Sequence, residues 1–136
     1  MLFVLDASIT ASWAFKDEAH PVANQALERL RSDEAHVPAL WWFEVRNTLL
    51  VGERRGRIDE GGTLAFLDEL RLLGIVLDRT PDETRLLSLA RQHRLTVYDA
   101  AYLELAQRRD LPLATLDKAL RDAAAALGVT LLGVDA

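Results

Sequence analysis

At 136 residues the chain has the size of one domain and is long enough to bury a core, and its 50% hydrophobic, 27% charged composition is ordinary for a soluble globular protein. It has no cysteine, which excludes disulfides, thiolate chemistry and cysteine-ligated zinc. A net charge of −5 weakly opposes a nucleic-acid partner, but it excludes little, because bound cations reverse the local sign of an acidic site. The run MLFVLDAS lacks a basic region and stops at Asp6, so no signal peptide is expected. The longest uncharged run, Ala123 to Val134, contains two glycines and falls short of the ~20 residues that span a bilayer. A soluble, cytoplasmic protein without a membrane partner is the expectation.

Phe3–Leu5 is a continuously apolar run suited to a buried parallel strand, and it ends in Asp6. A short helix is expected from Ser8 to Phe15, then a polar turn from Lys16 to His20. Pro21 opens an amphipathic helix with Val22, Ala23, Ala26, Leu27 and Leu30 on one face, closed by Ser32-Asp33-Glu34. His36-Val37 reads as a minimal second strand. The next helix runs from Ala39 to Arg55, with Gly56 at its C′ position. Asp59 caps a helix carrying Leu64, Leu67 and Leu70, with Gly61 and Gly62 weakening its first turn.

Ile75–Leu77 is a third apolar strand. Thr80-Pro81-Asp82-Glu83 has the form of a capping box with proline at N1, and Leu86, Leu89, Ala90 and His93 give the following helix its stripe. Asp99 opens a helix in TVYDAAYLELA, Leu113–Thr115 is a short strand, and a helix opens around Asp117. Val129 to Val134 reads as a last, edge strand. Strands alternate with helices throughout, the pattern of an α/β layer protein with a mostly parallel sheet.

In such a sheet the ligand crevice lies outside the carboxyl ends of the strands, where Asp6, Asp99 and Asp117 would share one edge. Each has a plain alternative as a helix N-cap, with Thr115 a second competent cap beside Asp117. Glu44 resists that reading, because it interrupts an apolar helix segment from Ala39 to Val45. It can instead snorkel to the surface or pair with Arg46. Asn47, one turn on, can brace its carboxylate.

Clustered carboxylates raise one another's pKa unless a cation neutralises them, and oxygen-only ligands suit Mg2+ or Mn2+ rather than zinc. The three histidines lack metal-site spacing, and no G-x-S-x-G or phosphate-binding glycine loop is present. Trp41 and Trp42 are expected in the core.

Four pieces, FVLDAS, FEVRNTL, TVYDAAYLELA and LATLDKALRDAA, resemble in order the PIN-domain ribonucleases, and within them the VapC-like toxins of type II toxin–antitoxin systems. The resemblance covers essentially the whole chain and implies a single PIN-like domain over residues 1–136. It implies a three-layer α/β/α sandwich around a central, mostly parallel sheet, with a Mg2+-dependent (or Mn2+-dependent) endoribonuclease site. By motif, Asp6, Glu44, Asp99 and Asp117 match the acidic quartet; the three aspartates match direct metal ligands, and Glu44 a direct or water-mediated one. Ser8, Thr115 and Asn47 match supporting positions.

The resemblance further implies an RNA substrate, a homodimer, and a cognate antitoxin that lays a segment across the site. The reaction it implies is attack by a metal-activated water on an RNA phosphodiester, with no protein nucleophile. Arg46, Lys118 and Arg121 are candidate phosphate contacts whose alternative is a solvated helix surface. Two other readings compete with the nuclease. One is an aspartyl-phosphate phosphohydrolase with Asp6 as nucleophile, although a D-x-D motif would need an acid where Ser8 stands. The other is a non-catalytic interaction module on the same fold.

Overall fold

The computed structural model describes residues 2–15, 17 and 20–133. Strands β1 (Phe3–Leu5), β2 (Ala35–Pro38), β3 (Ile75–Asp78) and β4 (Leu113–Ala114) form one parallel sheet in the order β3-β2-β1-β4. Around it lie α1 (Ala7–Ser12), α2 (Pro21–Arg29), α3 (Leu40–Arg54), α4 (Glu60–Leu70), α5 (Glu83–His93), α6 (Val97–Arg109) and α7 (Lys118–Ala126), giving the α/β/α arrangement. Phe3, Val4 and Leu5 are all fully buried because both faces of β1 are covered.

The chain lays down β1, β2 and β3 in one direction, then returns to add β4 on the other side of β1. That reversal is the switch point of an open parallel sheet. It opens a crevice between the carboxyl ends of β1 and β4. Helix α6 packs against β1, β2 and β4 and is buried almost all round, with Ala100, Tyr102, Leu103, Glu104, Leu105 and Ala106 inside. Its middle, from Ala100 to Ala106, thus sits at the centre of the fold, while its two ends reach the surface.

Several local expectations are corrected. Helix α6 is capped by the Thr96 hydroxyl, which accepts from the Asp99 amide at 3.0 Å, so Asp99 lies in the first turn and is not the cap. Helix α5 is capped by Asp82, accepting from the Arg85 amide at 3.1 Å, rather than by Thr80; Pro81 therefore precedes the helix. Helix α1 ends at Ser12, short of Phe15. Asp59 caps α4 as expected, and a Cβ at Gly62 would come within 2.8 Å of Ile58, so that glycine lets the cap close.

The strand expected over 129–134 is a single bridge between Leu131 and Leu113. Gly128 and Gly133, at φ +73° and +85°, turn the chain on either side of it. Val134 lies outside the described residues, as do Lys16, Glu18 and Ala19 of the polar turn.

Candidate active site

Asp6 leaves β1 at the switch point, its amide donating to the Ala114 carbonyl of β4 at 2.9 Å. It flanks α1 without capping it by a side-chain hydrogen bond, so the plain cap reading fails for this residue. Its carboxylate is buried and accepts from Thr115 at 2.6 Å and from Ser8 at 2.9 Å, both on Oδ2. The Ser8 hydroxyl also accepts from the Leu116 amide at 3.2 Å, and the Thr115 hydroxyl from the Asp117 amide at 3.0 Å. The two hydroxyls thus tie the end of β4 to the end of β1. Asp117 caps α7 through Oδ1, accepting from Ala119 at 2.9 Å and Leu120 at 3.4 Å. Here the cap reading holds, and the cap itself fixes the carboxylate.

Glu44 and Asp99 come from two further helices. On α3 the buried stripe is Trp41, Val45, Leu49 and Gly52, and Glu44 sits at its edge, half-buried. The Tyr102 hydroxyl of α6 donates to Glu44 Oε1 at 2.6 Å. Asn47 is exposed, and the donor to Glu44 is Tyr102 rather than Asn47. Sequence reasoning missed Tyr102. A tyrosine inside an Ala- and Leu-rich helix was the available signal, because a buried hydroxyl needs a partner.

The electrostatics join these groups. Burial pushes the Asp6 carboxyl above its ordinary range against the hydrogen bonds of Thr115 and Ser8, and the charge of Asp117 adds to the rise. Glu44 is raised first by burial, opposed by the Tyr102 hydroxyl, and then by Asp6 and Asp99. Asp99 is raised by burial, then by Asp117 and Asp6. Asp6, Glu44 and Asp99, from three segments, are therefore each raised by a neighbouring acid as well as by burial. Asp78 stands at the end of a strand too, but the Arg108 guanidinium beside it holds its carboxyl below the usual range. A matched acid is driven down; Asp6, Glu44 and Asp99 are driven up.

The donors are carboxylates and hydroxyls only, the chemistry of a hard cation such as Mg2+ or Mn2+. Among the described residues no three acidic or histidine side chains converge as a ligand set.

The expected cationic flank is less coherent. Arg46 folds over the Trp42 ring, 3.7 Å from its centroid, and donates to the Trp42 carbonyl at 3.0 Å. Lys118 pairs with Asp122 at 2.8 Å on the surface, and Arg121 is partly buried on α7. Trp41 is in the core, its indole N–H donating to Thr10 at 2.9 Å. Trp42 is 42% exposed, against expectation, since α3 turns that position away from the sheet.

A family model described as PIN domain matches residues 3–126. The chain is 34% identical over 126 residues to Ribonuclease VapC3 of Pyrobaculum aerophilum, covering 90% of this chain and 94% of that protein. It is 29% identical over 126 residues to Phosphoglycolate phosphatase of Methanothermobacter thermautotrophicus, covering 87% of this chain and 54% of that protein. Its fold is similar to the crystal structure of PAE2754 from Pyrobaculum aerophilum, with a TM-score of 0.72 at 22% identity, covering 90% of this chain and 84% of that one. It is also similar to a chain of a toxin–antitoxin complex from Klebsiella pneumoniae, with a TM-score of 0.52 at 19% identity and 82% of each chain covered.

Proposed function

The chain belongs to the PIN domain family, and we propose on that premise that it is a Mg2+- or Mn2+-dependent endoribonuclease, the toxin of a toxin–antitoxin pair. One observation supports the reading: at the β1/β4 switch point Asp6 is raised by burial and then by Asp117, and Glu44 and Asp99 are raised by burial and then by neighbouring acids that include Asp6. A relative named as a ribonuclease supports it. Asp6, Asp99 and Asp117 would hold the cation directly, with Glu44 direct or through a water. A cation there supplies an activated water and neutralises charge on the phosphoryl group.

The chain's own residues hold the carboxylates in place. Ser8 and Thr115 fix Asp6, the first turn of α7 fixes Asp117, and Tyr102 meets Glu44.

The proposal extends to partners: RNA as substrate, a cognate antitoxin, and a second copy of the chain. Trp42, Phe43, Val97 and Tyr98 are exposed beside Glu44 and Asp99 in sequence, apolar surface of the kind that protein partners cover. No helix among the described residues is long and apolar enough to cross a membrane.

The test is cleavage of a structured RNA pool by antitoxin-free protein. Discrete fragments are expected with Mg2+ or Mn2+, lost in EDTA and in Asp99→Asn. Fragments made equally by the variant, or none with either cation, would contradict the reading.

A second reading, phosphomonoester hydrolysis through Asp6, draws on the likeness to Phosphoglycolate phosphatase, of which the chain matches about half. The burial of Asp6 and its two hydroxyl donors count against a free nucleophile. Tight binding of beryllium fluoride with release of phosphate from p-nitrophenyl phosphate would favour it over the nuclease.

A further inference from the structure

Glu44 reaches the site on a flexible side chain, and the packing of α3 does not by itself fix where its carboxylate lies. The stripe that seats the helix is Trp41, Val45 and Leu49, and Glu44 stands at its edge. What meets the carboxylate is the Tyr102 hydroxyl, 2.6 Å from Oε1. Tyr102 is wholly buried, so its ring has no freedom to follow a wandering carboxylate. It lies three residues after Asp99 on α6, on the same side of that helix. One hydroxyl therefore joins the helices that carry Glu44 and Asp99.

Resting on the metal-centre reading above, we propose that Tyr102 is the positioning residue of this site: its hydroxyl holds the Glu44 carboxylate in register with Asp6 and Asp99 and so sets how tightly the site takes a divalent cation. Tyr102 touches neither substrate nor cation in this role; it acts through Glu44. A core aromatic whose hydroxyl merely takes the nearest acceptor would add to stability and leave cation affinity alone.

The two roles separate in Mn2+ titrations by calorimetry on the metal-free protein, with melting midpoints measured alongside. Wild type, Tyr102→Phe, Glu44→Asp and the double variant are compared. Tyr102→Phe removes one oxygen and keeps the ring, so the metal-free protein should stay folded with a midpoint within a few degrees of wild type. Its Mn2+ affinity should fall about 10- to 100-fold, the usual loss when a group orienting a metal ligand is removed. Glu44→Asp keeps the charge but draws it back from the hydroxyl; it should lose comparable affinity, and adding Tyr102→Phe to it should cost nothing more.

Undiminished affinity in either single variant overturns the positioning role. So does an equal loss from Tyr102→Phe in both backgrounds, or a midpoint lowered by the same amount with and without Mn2+. A wild-type protein that takes up no Mn2+ gives a different result, overturning the metal-centre reading underneath.

Discussion

Asp117 and Asp99 look alike as acids near helix starts, yet the structure gives them different burdens. Asp117 caps α7, so Asp117→Ala should cost about 0.5–2 kcal/mol of stability as well as cleavage. Asp117→Asn keeps a capping oxygen and should lose cleavage with a far smaller stability loss; urea unfolding of the two variants measures the difference. Asp99 caps nothing, and burial, then the charges of Asp117 and Asp6, push its carboxyl up. Asp99→Asn should therefore lower cleavage more than about 100-fold while leaving the melting midpoint unchanged or raised. A marked drop in that midpoint would show a structural role for Asp99 instead. These acids were legible because each stands at the end of an apolar run or interrupts one. Tyr102 was not, because a buried tyrosine and a working one have the same sequence pattern until a partner from α3 is seen beside it.

Among the elements, α6 carries Asp99 and Tyr102, and its placement rests on an ionic anchor at its other end. Glu104 is fully buried and accepts from the Arg108 Nε at 2.9 Å and from the Asp82 amide at 3.0 Å, while Arg108 also reaches Asp78 at 2.6 Å. That network joins α6 to the end of β3 and the start of α5. Arg108→Met leaves Glu104 buried without its cation and should cost about 3–5 kcal/mol, measured by urea unfolding. A cost under about 1 kcal/mol would mean that solvent reaches Glu104 readily.

Element types were well marked in the sequence, since apolar runs of three or four residues alternate with longer periodic stretches. Element starts were less so. Thr80 and Asp82, or Thr96 and Asp99, are all competent caps within a few residues, and the choice between them depends on where the preceding chain leaves the sheet. Glu104 escaped notice because in sequence it resembles any surface glutamate with an arginine four residues on.

At the scale of the molecule, the strand order and the charge pattern make one statement. The topology opens a crevice between β1 and β4, and the acids that border it destabilise one another in the folded protein. Asp6, Glu44 and Asp99 hold protons more tightly when folded than when unfolded. Between their ordinary range near pH ~4 and their raised folded values, the folded state binds more protons, so stability falls as pH rises. Asp78, held low by Arg108, acts oppositely, but its contribution is already in place above pH ~4. The melting midpoint in EDTA should thus decline as pH rises above about 4. Mg2+ at 100 times its dissociation constant should add about 2.7 kcal/mol and flatten that decline, because the cation replaces the protons. A midpoint that rises over this range in EDTA would contradict the assignment.

The switch point follows from strand order, which no single stretch of sequence displays; the apolar runs located the strands and left their order open.

The most direct test of the central claim is anomalous diffraction from a crystal grown with Mn2+. A peak within direct coordination distance of the Asp6, Asp99 and Asp117 carboxylates, with Glu44 a ligand itself or through one water, is the predicted result. Anomalous density elsewhere on the surface, with none in the β1/β4 crevice, would contradict the account.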